Sequence, residues 1–383
     1  DAVNVCAASM LDHMFRIETR QKNINNNKNK GEWTELYTFL KTIVDKKLLF
    51  ADKKLNVLDP ASHFTVTKVS TLNILEACLL TESDEVIVEN EHTHKRESIF
   101  VSSFLNAAVL KDIVASIKAG SRTFAIPQVD VIQGLLGISI IKGGTSRQKA
   151  DIVLDVKKDG LVKHNEGFGI KSYLGSKPTL LNASGNTNFV FRIDGLEKQH
   201  VDSINSINSR TKLMDRLNAI DKNGGVLSFE HTERPTMQYN LELVDSEMPK
   251  IIALMLLEFY LNRTSLVEDN IANVYATHFA NTETNRDLQF FQVKVKRLLV
   301  GALLGFFAGS KWDGKYIANG TIIVKENGEQ VGFHIIESTH LEDYLFEHIK
   351  FDTPSTTRHR FGRIITERNG QLFFKLNLQL RFK

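Results

Sequence analysis

The chain reads as a mixed α/β protein, because helix-period and strand-period segments alternate along its 383 residues instead of one period running throughout. Three observations predict this. An amphipathic helical pattern opens the foldable part, two long apolar stretches in the second half suit buried helices, and period-2 segments gather mid-chain and at the C-terminus. A composition of 42% hydrophobic and 24% charged residues is that of a globular protein with one large domain or two modest ones.

Taken in order, residues 21 to 30 are polar and Asn-rich without core-forming spacing, so residues 1–30 read as a flexible leader. From Glu32 onward Trp33, Leu36, Tyr37, Leu40, Ile43 and Val44 recur at helical spacing, which predicts a helix ending near Lys46. Further helices are expected over Ser70 to Leu80 and Ser103 to Ala119. Ala150 to Val156 and Phe168 to Lys171 then read as two antiparallel strands around Lys158-Asp159-Gly160, with a third at Asn188 to Ile193. Met248 to Leu261 and Leu288 to Phe307 suit buried helices. Asn327-Gly328 predicts a hairpin between Thr321 to Lys325 and Val331 to Ile336, and Asn369-Gly370 separates Arg363 to Thr366 from a terminal strand, Leu372 to Phe382.

Several function classes fall away. The apolar runs Ile251 to Leu257 and Leu298 to Ala308 fall short of the roughly 20 residues that a bilayer-spanning helix needs. Cys6 and Cys78 cannot build a zinc cluster and make a poor disulfide framework, so a reducing cytoplasmic setting is expected. Asp1-Ala2-Val3 starts no secretory signal. The net charge of +3 means that any nucleic-acid surface must come from local Lys and Arg patches. Gly309-Ser310-Lys311 lacks the hydroxyl and spacing of a phosphate loop, because Trp312 follows, and reads as a buried helix end. Gly167-Phe168-Gly169 lies in a strand pattern, unlike a dinucleotide-binding turn. Glu91-His92-Thr93-His94 carries metal-binding residue types without a partner cluster and reads as a solvated loop.

One constellation remains. Phosphodiester hydrolysis needs a metal to polarise the phosphoryl oxygen and acidify water, with a cation beside the developing charge. Hard magnesium requires oxygen ligands, usually one or two carboxylates. Asp151 and Lys171, on paired strands, supply an acid and a lysine; the plain alternative is two surface residues.

Asp151, a hairpin and Gly169-Ile170-Lys171 resemble the Asp and Asp/Glu-x-Lys core of the restriction-endonuclease-like nucleases, except that Gly169 stands where an acid is usual. Glu35, Glu32, Asp155 and Glu166 are candidates for the absent carboxylate. Lys30-Gly31-Glu32-Trp33-Thr34-Glu35-Leu36-Tyr37 resembles an N-terminal helix motif whose Glu approaches the metal, which favours Glu35 over the alternative of a solvated helix face. The ordered strings Gly167 to Ser172, Gly175 to Ser184, Thr187-Asn188-Phe189, Trp312-Asp313-Gly314, Phe333-His334-Ile335, Lys350 to Gly362 and Leu376 to Phe382 resemble the HpaII-type restriction endonucleases from about Gly31 onward.

That resemblance implies a mixed sheet flanked by helices, Mg2+-dependent cleavage of double-stranded DNA at CCGG, a homodimer on a palindromic site, and a DNA methyltransferase acting on the same site. The chain is expected to divide into the leader, a helical and nuclease core region at 31–310 and a β-rich recognition region at 311–383 packed on it. Asp151 and Glu35 would hold the metal, with Lys171 completing the catalytic set. Ser172, Asn182, Ser184 and Asn188 are short neutral groups of the kind that position phosphates and sugars, although turn formation also explains them. Arg358, His359, Arg360 and Arg363 are read as base-reading donors or as phosphate neutralisers. Gln379 and Arg381 lie on the polar side of the terminal strand, where a solvated sheet face is the alternative. A repair nuclease of the same superfamily and a DNA-binding protein without catalysis, suggested by Gly169, are the competing functions.

Overall fold

The structure, a computed structural model, describes residues 27–71, 76–80, 84–90, 96–136, 149–281 and 286–383, with the backbone alone at 71, 76–80, 90 and 135. Most of the expected leader, Cys6 and Glu91 to His94 lie outside the described residues. The chain forms two compact units, the first reaching to Ser176 and including Ile317–Ser338, the second made of Lys177–Tyr316 and Thr339–Lys383.

Unit 1 begins on helix α1 (Lys30–Asp45). A capping box sets its start: Asn29 Oδ1 accepts from the Glu32 N–H at 3.1 Å, while the Asn29 N–H donates to Glu32 Oε2 at 2.8 Å. Residues 27–30 are therefore structured, and Lys28 is buried at a bridge to Phe124. Trp33, Leu36, Phe39, Leu40 and Ile43 form the buried stripe that their spacing predicts. Thr34, Thr38 and Thr42 are buried too. Each donates its hydroxyl to the carbonyl four residues back, at 2.7, 2.8 and 2.7 Å, which satisfies the polar group inside an apolar environment.

The sheet of unit 1 contains β1 (Lys47–Leu49), β2 (His63–Thr71), β3 (Glu76–Leu80), β4 (Glu85–Asn90), β5 (Arg96–Phe100), β6 (Ile152–Lys158), β7 (Leu161–Ser172), β11 (Gly320–Val324) and β12 (Gln330–His334). Its order is β12-β11-β7-β6-β2-β3-β4-β5, with β1 beside β2. Helices α2 (Ala107–Ala119) and α3 (Pro127–Leu136) complete the unit, and Ile113, Ile117, Val129 and Ile132 join the core around α1. The helix expected over Ser70 to Leu80 is instead the end of β2 and the whole of β3. Thr65, Val66, Thr67 and Val69 favour extended chain, and pairing of Val69 with Leu154 of β6 and Cys78 of β3 overrides the helical spacing. Between β6 and β7, Asp159 and Gly160 both have positive φ, 51° and 80°, as a tight two-residue hairpin turn requires.

In unit 2 the helices are α4 (Val201–Ser206), α5 (Lys212–Lys222), α6 (Pro235–Val244), α7 (Met248–Asn262), α8 (Val267–His278), α9 (Leu288–Leu304), α10 (Ser338–His348) and the short α11 (Thr356–His359). Its strands are β8 (Thr179–Leu181), β9 (Asn188–Asp194), β10 (Val226–Thr232), β13 (Ile349–Phe351), β14 (Ile364–Thr366), β15 (Leu372–Asn377) and β16 (Leu380–Phe382). They build two sheets, β10-β9-β15-β14 and β13-β16-β8. The single terminal strand expected over Leu372 to Phe382 is thus two strands in different sheets. Asn377 and Leu378 are both fully buried side by side, so the alternation of faces breaks where the chain changes sheet. Gly309 is exposed in a turn after α9, not in a helix end; Asn240 ties that turn through the Phe307 and Ser310 carbonyls. Among the described residues no helix is long and apolar enough to cross a membrane.

Candidate active site

β7 is the scaffold of the site in unit 1. It pairs antiparallel with β6 and parallel with β11, which aligns Gly169 with Thr321 and Lys171 with Ile323. Asp151 enters β6 against Gly169. Its N–H donates to the Phe168 carbonyl at 2.8 Å, and its Oδ2 accepts from the Ile170 N–H at 2.7 Å. The two glycines of β7 permit this approach: a Cβ at Gly167 would lie 2.9 Å from the Ala150 Cβ, and one at Gly169 would lie 2.8 Å from the Lys149 carbonyl oxygen. A side chain at Gly169 would press on backbone, so restoring an acid there requires the Lys149 segment to shift.

Helix α1 brings Glu35 to this strand end. Thr34 and Ser172 hydroxyls lie within 3.2 Å of each other, which joins the helix to the end of β7. Burial, then the carboxylates of Asp151 and Glu32, push Glu35 up to about 7. Asp151 is raised as well: burial outweighs the Ile170 N–H and the charge of Lys171. Lys171 is lowered by burial against the opposing pull of Asp151. Two carboxylates and a lysine from α1, the β6 entrance and β7 therefore share one electrostatic environment. Lys149 joins them, pushed down to about 7 by burial and then by Lys171. Sequence reasoning missed Lys149, whose only signal is a basic residue two places before Asp151.

The other candidates for the absent carboxylate have structural partners. Glu32 closes the capping box. Asp155 accepts from the Asn165 N–H at 2.9 Å and contacts His164 Nδ1 at 2.8 Å, holding a bulge in which Asn165 has φ 58°. Glu166 Oε2 lies 2.8 Å from His334 Nε2. His334 Nδ1 accepts from the Ile336 N–H, so Nε2 carries the proton and donates to Glu166. Among the described residues no three His, Cys, Asp or Glu side chains converge as a metal-holding group. Asp151 and Glu35 provide a two-carboxylate set of hard oxygen donors, and their mutual repulsion is what a divalent cation relieves.

Ser172, in unit 1, accepts from the Leu174 N–H at 3.1 Å besides contacting Thr34. The remaining recognition candidates lie in unit 2. Asn182 is exposed. Ser184 caps the turn Gly185–Thr187, accepting from the Asn186 N–H at 3.1 Å. Asn188 is 1% exposed, donates to Glu233 and to the His359 carbonyl, and accepts from Asn377 at 2.6 Å, so its amide organises the interior. Asn377 is the hub of this network: it also donates to the Ser184 carbonyl and accepts from Thr187.

Arg358, Arg360 and Arg363 are exposed on one anchored segment, with His359 partly covered between them. Phe361 is buried, and Gly362 has φ 80° with Leu213 where a Cβ would stand. Buried Arg216 donates to the carbonyls of Gly362, Asn205 and Ile207, fixing the segment from below. Gln379 is partly exposed and its carbonyl accepts from the Asp352 N–H; Arg381 Nε lies 3.5 Å from Asp352.

Comparison with known proteins places the chain in a family. The family model described as HpaII restriction endonuclease matches residues 29–382. The type II restriction enzyme HpaII of Haemophilus parainfluenzae is 33% identical over 359 residues, covering 92% of this chain and 98% of that enzyme. No solved structure matches the chain. The protein is therefore a type II site-specific deoxyribonuclease, an enzyme whose substrate is DNA. Within that class it belongs to the HpaII restriction endonuclease family.

Proposed function

We propose that the protein cleaves both strands of duplex DNA at CCGG by divalent-metal-dependent hydrolysis, with magnesium held by Asp151 and Glu35. The observation that carries this reading is the contact of α1 with the end of β7 through the Thr34 and Ser172 hydroxyls, which sets Glu35 in the electrostatic reach of Asp151, itself fixed on β7 by the Ile170 N–H and influenced by Lys171. A hard ion bound there supplies polarisation of the phosphoryl oxygen and a more acidic water. Asp151 is oriented for ligation by the Ile170 N–H, and Glu35 takes the role that Gly169 leaves empty. Lys171 places positive charge beside the phosphate as its negative charge develops.

In unit 2, Arg358 and Arg360 read guanine edges in the major groove, where a guanidinium presents paired donors to O6 and N7. Arg363, His359, Asn182, Gln379 and Arg381 contact the same duplex, while Ser172, Ser184 and Asn188 support the loops that meet it. A palindromic CCGG site suits a homodimer of this chain, with a methyltransferase marking the same sequence. The site assignment rests on the family relation, and the guanine-rich target on the exposed arginines. Incubating a plasmid of known sequence with the purified protein and magnesium tests it. Discrete fragments with common ends at CCGG are expected; random nicking, cutting at another sequence, or undiminished cutting in excess chelator would overturn it.

A further inference from the structure

Unit 2 contains a cleft of about 410 Å3 lined by Arg210, Lys212, Arg263, Ser355, Thr356 and Thr357. Three cationic residues therefore border one space together with several hydroxyl residues, Ser355, Thr356 and Thr357 among them, and no acidic residue lines it. Phe259 and Tyr260 form part of the wall, and Tyr260 is held by donating to the Asn377 carbonyl at 3.0 Å. Among the described residues none of the three cations has an acid as ion-pair partner. The acid closest in sequence, Asp215, instead accepts from the hydroxyls of Ser209 and Thr211, which braces the turn carrying Arg210.

The first turn of α5 borders the cleft and carries Asp215 as well as Lys212, so its own charges offset one another. Thr211 is its N-cap, its hydroxyl turned to Asp215, and Lys212, Leu213 and Met214 line the cleft with the start of the helix. Backbone N–H groups at such a start favour an anion. The other side of the cleft leads directly into the arginine segment: Thr356 and Thr357 line it, and Arg358 follows.

We propose that this cleft binds a phosphodiester group of the DNA backbone and thereby sets the register of Arg358 and Arg360 on the bases. The inference rests on the reading that the segment Thr356 to Arg363 meets DNA. A phosphate carries no sequence information, so the cleft contributes affinity equally to every duplex and orients the groups that discriminate. The hydroxyls of Ser355, Thr356 and Thr357 complement the cations as phosphate donors.

Binding of the full chain to a CCGG duplex and to a scrambled duplex, at several salt concentrations with calcium in place of magnesium, tests this. The variant combines Arg210→Gln with Arg263→Asn, since Asn tolerates the left-handed conformation of Arg263 at φ 62°. Lys212→Gln is the second variant should the first fold poorly. Expected is an affinity loss of about tenfold on both duplexes and a log–log salt slope shallower by about 1, as for one phosphate contact. Wild-type affinity and slope in folded variants would overturn the proposal while leaving the recognition segment intact. A loss confined to the CCGG duplex would overturn it by making these cations base readers. Failure of the wild type to bind either duplex would overturn the recognition reading and the cleft with it. Inorganic pyrophosphate is the control: saturable binding that leaves duplex affinity unchanged would mark a free-anion site and overturn the proposal.

Discussion

Glu233 in unit 2 and Asp151 in unit 1 are both partly buried carboxylates beside a lysine, yet their acidities move in opposite directions. Burial acts to raise Glu233, but Lys375 at 2.7 Å and Asn188 at 2.6 Å donate to it, and its pKa falls. At Asp151 burial wins over one backbone N–H and the field of Lys171, and the pKa rises. The first carboxylate has its donors within the fold and does structural work. The second is raised mainly by burial, as is Glu35, which also feels its charge, so neither carboxylate has its burial offset by donors in the way that Glu233 does. Glu258 extends the contrast, since donors from Asn273, Thr264 and Asn262 outweigh its burial and lower it.

The largest effect should follow from removing the charged pair in unit 1. Asp151→Ala and Lys171→Ala are expected to slow plasmid cleavage on the order of 100-fold or more without altering the circular dichroism spectrum. Cleavage at wild-type rate by both variants would break the comparison, because Asp151 would then be no more catalytic than Glu233.

Next comes recognition. Replacing Arg358 or Arg360 by Ala should weaken binding to the CCGG duplex by about 1 to 3 kcal/mol and a scrambled duplex much less. Equal losses on both would assign these arginines to phosphates.

A comparable stability effect is expected at Gly169→Ala, whose Cβ meets the Lys149 carbonyl oxygen: about 1 to 3 kcal/mol by chemical denaturation. No change in the denaturation midpoint would show that the strand accommodates a side chain, and the reason for an absent acid would be lost.

The smallest effect reports on the raised pKa of Glu35, which comes first from burial and then from the charge of Asp151. Glu35 is held at about 7 against an ordinary 4.5, so the folded state retains a proton that the unfolded chain releases. Its stabilising contribution is complete below about 4.5 and is lost as pH rises through about 7. Metal-free Glu35→Gln should therefore melt higher than the wild type at pH 8, with the advantage gone at pH 4. A lower melting temperature at pH 8 would contradict the sign.

Much of unit 1 was legible because its signals are local. The buried stripe of α1 and the Asp159-Gly160 turn each act within a few residues, and Gly167 and Gly169 advertise a strand without side chains, whereas the capping box of Asn29 and Glu32 went unread because Asn29 lies in the Asn-rich stretch read as leader. The stretch from Ser70 to Leu80 misled because β6, the partner of its first residues, is remote in sequence. In unit 2 the polar residues Ser184, Asn188 and Asn377 look alike in sequence. Only packing shows Asn188 and Asn377 buried as a mutual network while Asn182 stays exposed. Lys149 was hidden for the same reason, since its place beside Lys171 depends on the pairing of β6 with β7.

We propose that Asp151 and Glu35 hold one divalent ion together. Calorimetric titration of manganese into the metal-free protein at pH 8 tests it most directly, using the wild type, Asp151→Asn and Glu35→Gln. The wild type should bind, each variant should lose most of that affinity, and the double variant should be little worse than either single one. Wild-type affinity in Glu35→Gln would contradict the account.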